Sequence, residues 1–106
     1  MPQCYRQGDV LLVRAGSGID LSQAKRRKAR NRRVVLALGE VTGHSHTMTA
    51  ERTKLYDLFD GREVVVVDEP DTLTHQEHAG IEVAPGTYFV VHQVEYTPKA
   101  IVRVLD

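Results

Sequence analysis

The chain predicts a mainly β fold, a single small β-barrel or sandwich, with a basic loop or short helix inserted between strands. Three observations lead there. Short apolar runs recur along the 106 residues, as in "DVLLVR", "RVVLALG", "EVVVVD" and "TYFVVHQVEY". Valine dominates them, and β-branched side chains fit a pleated surface better than a helix. Turn-forming clusters of Gly, Pro and Asp separate the runs at short intervals, the spacing of a sandwich or barrel. A chain this long folds as one domain and buries about two-thirds of its unfolded surface, enough for one core.

The first strand, 9–14, starts after Gly8 and stops before "AGSG". The segment "IDLSQAKRRKARNRR" follows. Asp20 is placed to cap a short helix, with Gln23 reaching back as in a capping box. Only Ile19, Leu21 and Ala24 offer an apolar face there, and like charges crowd the rest, so a loop over 15–33 is the competing expectation. Strands follow at 33–39 and, after the Thr42–Gly43 turn, at 44–49. The run "KLYDLF" fits a helical turn or a strand. Residues 63–68 make a strand of four consecutive valines, and Pro85–Gly86 suits a type II turn. Beyond it Tyr88, Val90, His92, Val94 and Tyr96 share one face of a strand, and "IVRVL" closes the fold.

Composition excludes several classes. There is one cysteine, Cys4, so neither an internal disulfide framework nor a cysteine-rich zinc site exists, and a reducing cytoplasm is the expected compartment. No apolar run approaches the ~18 residues that span a bilayer, so no membrane partner is expected. The net charge of zero hides an asymmetry. Residues 1–33 hold nine basic and two acidic side chains, a balance of +7, and the remainder balances at −7. Seven of the fourteen basic residues fall between Lys25 and Arg33.

Four of five histidines come in close pairs, His44 with His46 and His75 with His78. On a strand, residues i and i+2 face one way, so His44 and His46 can converge on one ion at about 2.0–2.1 Å each while Ser45 points away. Gly39 and Gly43 allow the chain to turn sharply into that strand. His75 and His78 face one way only on a turn. Glu77 lies between them as a further ligand or a general base. Such imidazoles suit a divalent metal, zinc first, with iron or manganese as alternatives. His92, mid-strand, reads as a core histidine or as a ligand from a third strand.

The strings "QGDV", "GEVTGHSH", "LTHQEH" and "QVEYTP" resemble a family of short, uncharacterised bacterial and phage proteins carrying G-E-V-T-G-H-x-H and H-x-E-H signatures. The resemblance covers nearly the whole chain. It implies that Gly39, Thr42, Gly43, His44, His46, His75, Glu77 and His78 belong to the family's motifs, and it implies no activity. A weaker similarity to cupins rests on Gly39 before His44-Ser45-His46, Glu51 after it, and Pro85-Gly86 before His92. The spacings depart from the cupin pattern, and His75 and His78 have no counterpart in it. That similarity implies a double-stranded β-helix.

Two functions follow as expectations. The first is a small metal-binding protein using His44, His46, His75 and His78, with Glu77 beside the metal or acting as base. With an open coordination position it becomes a metal-dependent hydrolase. The second is a non-catalytic phage or mobile-element module that binds nucleic acid, another polyanion or a protein. Its contacts are Lys25, Arg26, Arg27, Arg32 and Arg33 on the basic arm. No aromatic residue interleaves that arm, which disfavours base stacking within it.

Overall fold

The structure, a computed structural model, describes residues 4–16, 18–38, 43–96 and 101–103, with the last strand pair (94–96 and 101–103) described as backbone. The described residues form twelve strands: β1 Cys4–Gln7, β2 Val10–Arg14, β3 Lys25–Arg26, β4 Arg33–Leu38, β5 Ser45–Thr49, β6 Thr53–Asp57, β7 Glu63–Val67, β8 Asp71–Leu73, β9 Ile81–Val83, β10 Gly86–His92, β11 Val94–Tyr96 and β12 Ile101–Arg103. The protein is mainly β, as its valine-rich runs require. Among the described residues there is no helix, and hence none long and apolar enough to cross a membrane.

Six strands form one sheet in the order β1-β2-β10-β7-β6-β3, and β4-β5, β8-β9 and β11-β12 form three two-stranded sheets. These do not close into a barrel. The core lies between the large sheet and the β4-β5 and β8-β9 pairs, which makes the fold sandwich-like. Val10, Leu12, Leu55, Val65, Val67, Tyr88 and Val90 face inward from the large sheet, and Val34, Leu36, Met48, Leu73 and Val83 meet them. The alternation of strand side chains produces this directly, since the inward positions within β2, β6 and β10 are two apart.

The ambiguous "KLYDLF" run is strand, because β6 pairs in register with β7, Leu55 opposite Val65. Of the two expectations for the segment after Asp20, a loop or a short helix, the helix is absent. Asp20 instead accepts hydrogen bonds from the backbone and hydroxyl of Ser22, 2.9 and 2.6 Å, closing a local turn. The basic run is held rather than looped out. Lys25 and Arg26 add an edge strand to β6, and Asn31 and Arg32, both at positive φ (49° and 63°), turn the chain so that Arg30 bridges to Arg33. Positive φ at both central residues is the type I′ hairpin geometry, which Asn tolerates well. Four short strands, β1, β3, β8 and β9, lie where the sequence carries no strand pattern of its own; pairing across the sheet recruits them.

Candidate functional site

Three local devices bring the histidines together. The first is a bulge in β4. Val35 pairs with Thr47, but Ala37 rather than Leu36 pairs with His46. The extra residue puts a methyl group opposite His46 where a leucine would otherwise stand, which makes room for a buried imidazole. The second is a bridge between β5 and the residue after β8. Thr47 and Thr74 exchange backbone hydrogen bonds of 3.0 and 2.9 Å, setting His46 beside His75. The Arg33 guanidinium clamps this bridge by donating to Thr47 Oγ1 (2.9 Å) and Thr74 Oγ1 (2.6 Å). The third is a turn at 75–78. The backbone N–H groups of Glu77 and His78 both donate to His75 Nδ1, at 3.0 and 3.2 Å, so the ring caps its own turn.

The result is one cluster of four imidazoles. Ring centroids are 4.4 Å apart for His46 and His75, 4.5 Å for His75 and His78, 5.5 Å for His44 and His75, and 6.1 Å for His46 and His78. His46 and Ser45 lie in β5 and His44 immediately precedes it; His46 points inward, while Ser45 lines a groove elsewhere. Gly43 turns the chain here at φ 74°. Gly39 and Thr42, expected to help that turn, lie outside the described residues.

His46 is fully buried, and both of its nitrogens are engaged. Gln7 Nε2 donates to the carbonyls of Leu73 and Ala79, each at 2.9 Å, which turns Gln7 Oε1 toward His46. His46 Nδ1 must therefore carry a proton and donate it to that oxygen, 2.8 Å away. On the other side, His46 Nε2 lies within hydrogen-bond distance of Asp9 Oδ1, 3.1 Å away. Gly8 completes the wall. It takes φ 57° at the first position of the two-residue β1–β2 loop, a type II′ arrangement, and a Cβ there would stand 2.7 Å from His78 Nε2. Gly8–Asp9 carries the Gly-Asp signal of a two-residue hairpin turn, but nothing in Gln7, Gly8 or Asp9 marks a metal site, and only the fold reveals their place beside His46 and His78.

The remaining donors differ in kind. His75 Nδ1 is an acceptor, so its proton sits on Nε2. His78 Nε2 is buried and has no hydrogen-bond partner among the described residues. His44 Nδ1 stands 3.5 Å from Glu77 Oε1, and the Glu77 side chain is 62% exposed. Among the described residues, no three His, Cys, Asp or Glu side chains stand as a ready-made coordination shell.

His92 makes no ring contact with these four among the described residues. It bonds Glu63 Oε1 at 2.8 Å, and Arg27 bonds Glu63 Oε2 at 2.9 Å and also Asp57. Burial alone would raise the Glu63 pKa; the hydrogen bond and charge of His92, with those of Arg27, outweigh it and hold the carboxyl below its usual value. The basic-arm residues thus divide. Arg27 and Arg33 are bonded within the fold, whereas Lys25, Arg26 and Arg32 are exposed.

No curated protein and no solved structure matches this chain. The family model described as Domain of unknown function (DUF8820) matches residues 6–93, and the chain belongs to that family.

Proposed function

We propose that this protein binds a divalent metal ion at the histidine cluster, with His44, His78 and Glu77 as donors and His46 and His75 as the frame that holds them. The carrying observation is the 3.5 Å separation of His44 Nδ1 and Glu77 Oε1. It exceeds a charge-assisted hydrogen bond of about 2.7–2.9 Å. It is close to the about 3.4 Å between two ligands at 2.1 Å on one tetrahedral ion. His78 adds a buried nitrogen without a polar partner among the described residues, a costly arrangement that coordination would relieve. A shell of all four imidazoles, the simplest reading of the sequence, is less economical. His46 would have to release Gln7 or Asp9, and His75 two backbone N–H groups.

Two imidazoles and a carboxylate suit zinc, with iron or manganese next. Three protein donors leave a fourth position for water on the exposed Glu77 side. Zinc lowers the pKa of such a water to about 7, the chemistry of hydrolytic centres acting on phosphoesters or amides. Calorimetric titration of chelator-stripped protein with zinc tests the proposal. One ion per chain is expected, with affinity reduced at least tenfold in His44→Ala and in His78→Ala. Absence of binding, or binding indifferent to both substitutions, would overturn it.

A further inference from the structure

A second site lies outside the histidine cluster, along the basic arm. Residues 27–29 run on from β3 without a turn, and Arg27 points into the fold toward Asp57 and Glu63. Its neighbours Arg26 and Lys28 are exposed, as is Arg30, and no carboxylate pairs with any of the three among the described residues. In extended chain, residues two apart are roughly 6.6–6.8 Å apart. Arg26, Lys28 and Arg30 therefore present three cations in a row, at a spacing comparable to that of successive phosphates along an extended strand.

The row borders a recess. A groove of about 650 Å³ is lined by Arg27, Lys28 and Arg30 on one side and by Val35, Leu38 and Ser45 on the other. Past Lys28 lies a smaller groove of about 470 Å³, lined by Arg26, Arg27, Lys28 and Ala29. Leu38 is 56% exposed, a large apolar side chain beside uncompensated cations. The fold also supplies an aromatic residue that the arm's own sequence lacks: Tyr56, partly buried in β6, stands directly opposite Arg26.

We propose that this trough binds single-stranded nucleic acid, with phosphates on Arg26, Lys28 and Arg30 and bases turned toward Leu38 and Val35 at one end and Tyr56 at the other. A duplex hides its base faces and offers nothing to the apolar floor, whereas a single strand presents both phosphates and π-faces. An acidic peptide fits less well. Strand addition needs a row of open backbone groups, and β3 is two residues long, while the Arg27 and Arg30 amides already bond Leu55 and Arg33 at 2.8 Å each.

Fluorescence anisotropy with labelled dT12 and rU12, a twelve-base-pair duplex and a Glu/Leu peptide decides the matter. A single strand should bind more tightly than the duplex and the peptide. With three phosphates neutralised, the logarithmic salt slope should be about −2. The Arg26→Gln, Lys28→Gln, Arg30→Gln variant should flatten that slope. Leu38→Ser should weaken binding several-fold and leave the slope unchanged, and circular dichroism would confirm that both variants are folded. No oligonucleotide binding at low salt would overturn the proposal. So would a duplex or peptide bound as tightly as dT12 and rU12, or a Leu38→Ser variant that binds like the unaltered protein.

Discussion

Replacing Gln7 with leucine should be among the most destabilising single changes available outside the apolar core. Gln7 is buried, and its amide makes three hydrogen bonds: to the Leu73 and Ala79 carbonyls and to His46 Nδ1. Leucine is similar in volume, so no large cavity opens, and the effect isolates polar satisfaction. His46 keeps its buried N–H with no acceptor, and the Leu73 carbonyl loses its side-chain donor. Each buried group left unmatched costs about 1–3 kcal/mol, and the part-buried Ala79 carbonyl recovers its bond from water. For these two groups the expected loss is about 2–6 kcal/mol. For a domain near 100 residues each kcal/mol shifts Tm by about 4–8 °C, so the midpoint should fall by roughly 8 °C or more. Urea and thermal melts followed by circular dichroism measure this, with Arg6→Ala on the exposed neighbouring position as the reference. A Gln7→Leu change under about 0.5 kcal/mol would refute the reasoning, since His46 would then not depend on Gln7.

Three further outcomes follow from the same geometry. Gly8→Ala places a Cβ 2.7 Å from His78 Nε2 at φ 57°; it should cost about 1–2 kcal/mol from the backbone alone and weaken zinc binding, read by melts and by titration. Arg33→Gln removes the clamp on the Thr47–Thr74 bridge. It should lower zinc affinity more than it lowers affinity for any oligonucleotide, and equal losses would contradict the assignment of Arg33 to the fold. Glu63 has a depressed folded-state pKa, so its contribution is present above the unfolded value of about 4.3 and is lost as pH falls through the folded pKa. Urea midpoints measured from pH 6 down to 3 should therefore fall less steeply in Glu63→Gln than in the unaltered chain; parallel curves would contradict the depressed pKa.

The strands that build the core were legible because valine-rich runs and turn residues are local signals. Those at 9–14, 33–39, 44–49 and 63–68 match β2, β4, β5 and β7 to within a residue or so. The strands β1 and β8 were less so: Cys4–Gln7 and Asp71–Leu73 are strands through their partners, not through any pattern of their own. The histidine pairs announced a cluster, and their rings do meet. The division of labour within it was hidden. Whether a ring nitrogen is open or taken depends on Gln7, some 39 positions from His46, and on backbone amides within a turn. The basic run was visible as charge, but charge alone does not say which side chains serve the fold. Arg27 and Arg33 do, because Asp57, Glu63, Thr47 and Thr74 arrive from other strands. Tyr56 meets Arg26 for the same reason.

A crystal of this protein soaked with zinc and measured across the zinc absorption edge tests the central claim most directly. One anomalous peak is expected, within about 2.0–2.2 Å of His44 Nδ1, His78 Nε2 and a Glu77 carboxylate oxygen, with His46 still bonded to Gln7 and Asp9. No peak in the cluster, or a peak lodged instead at His92 and Glu63, would contradict the account.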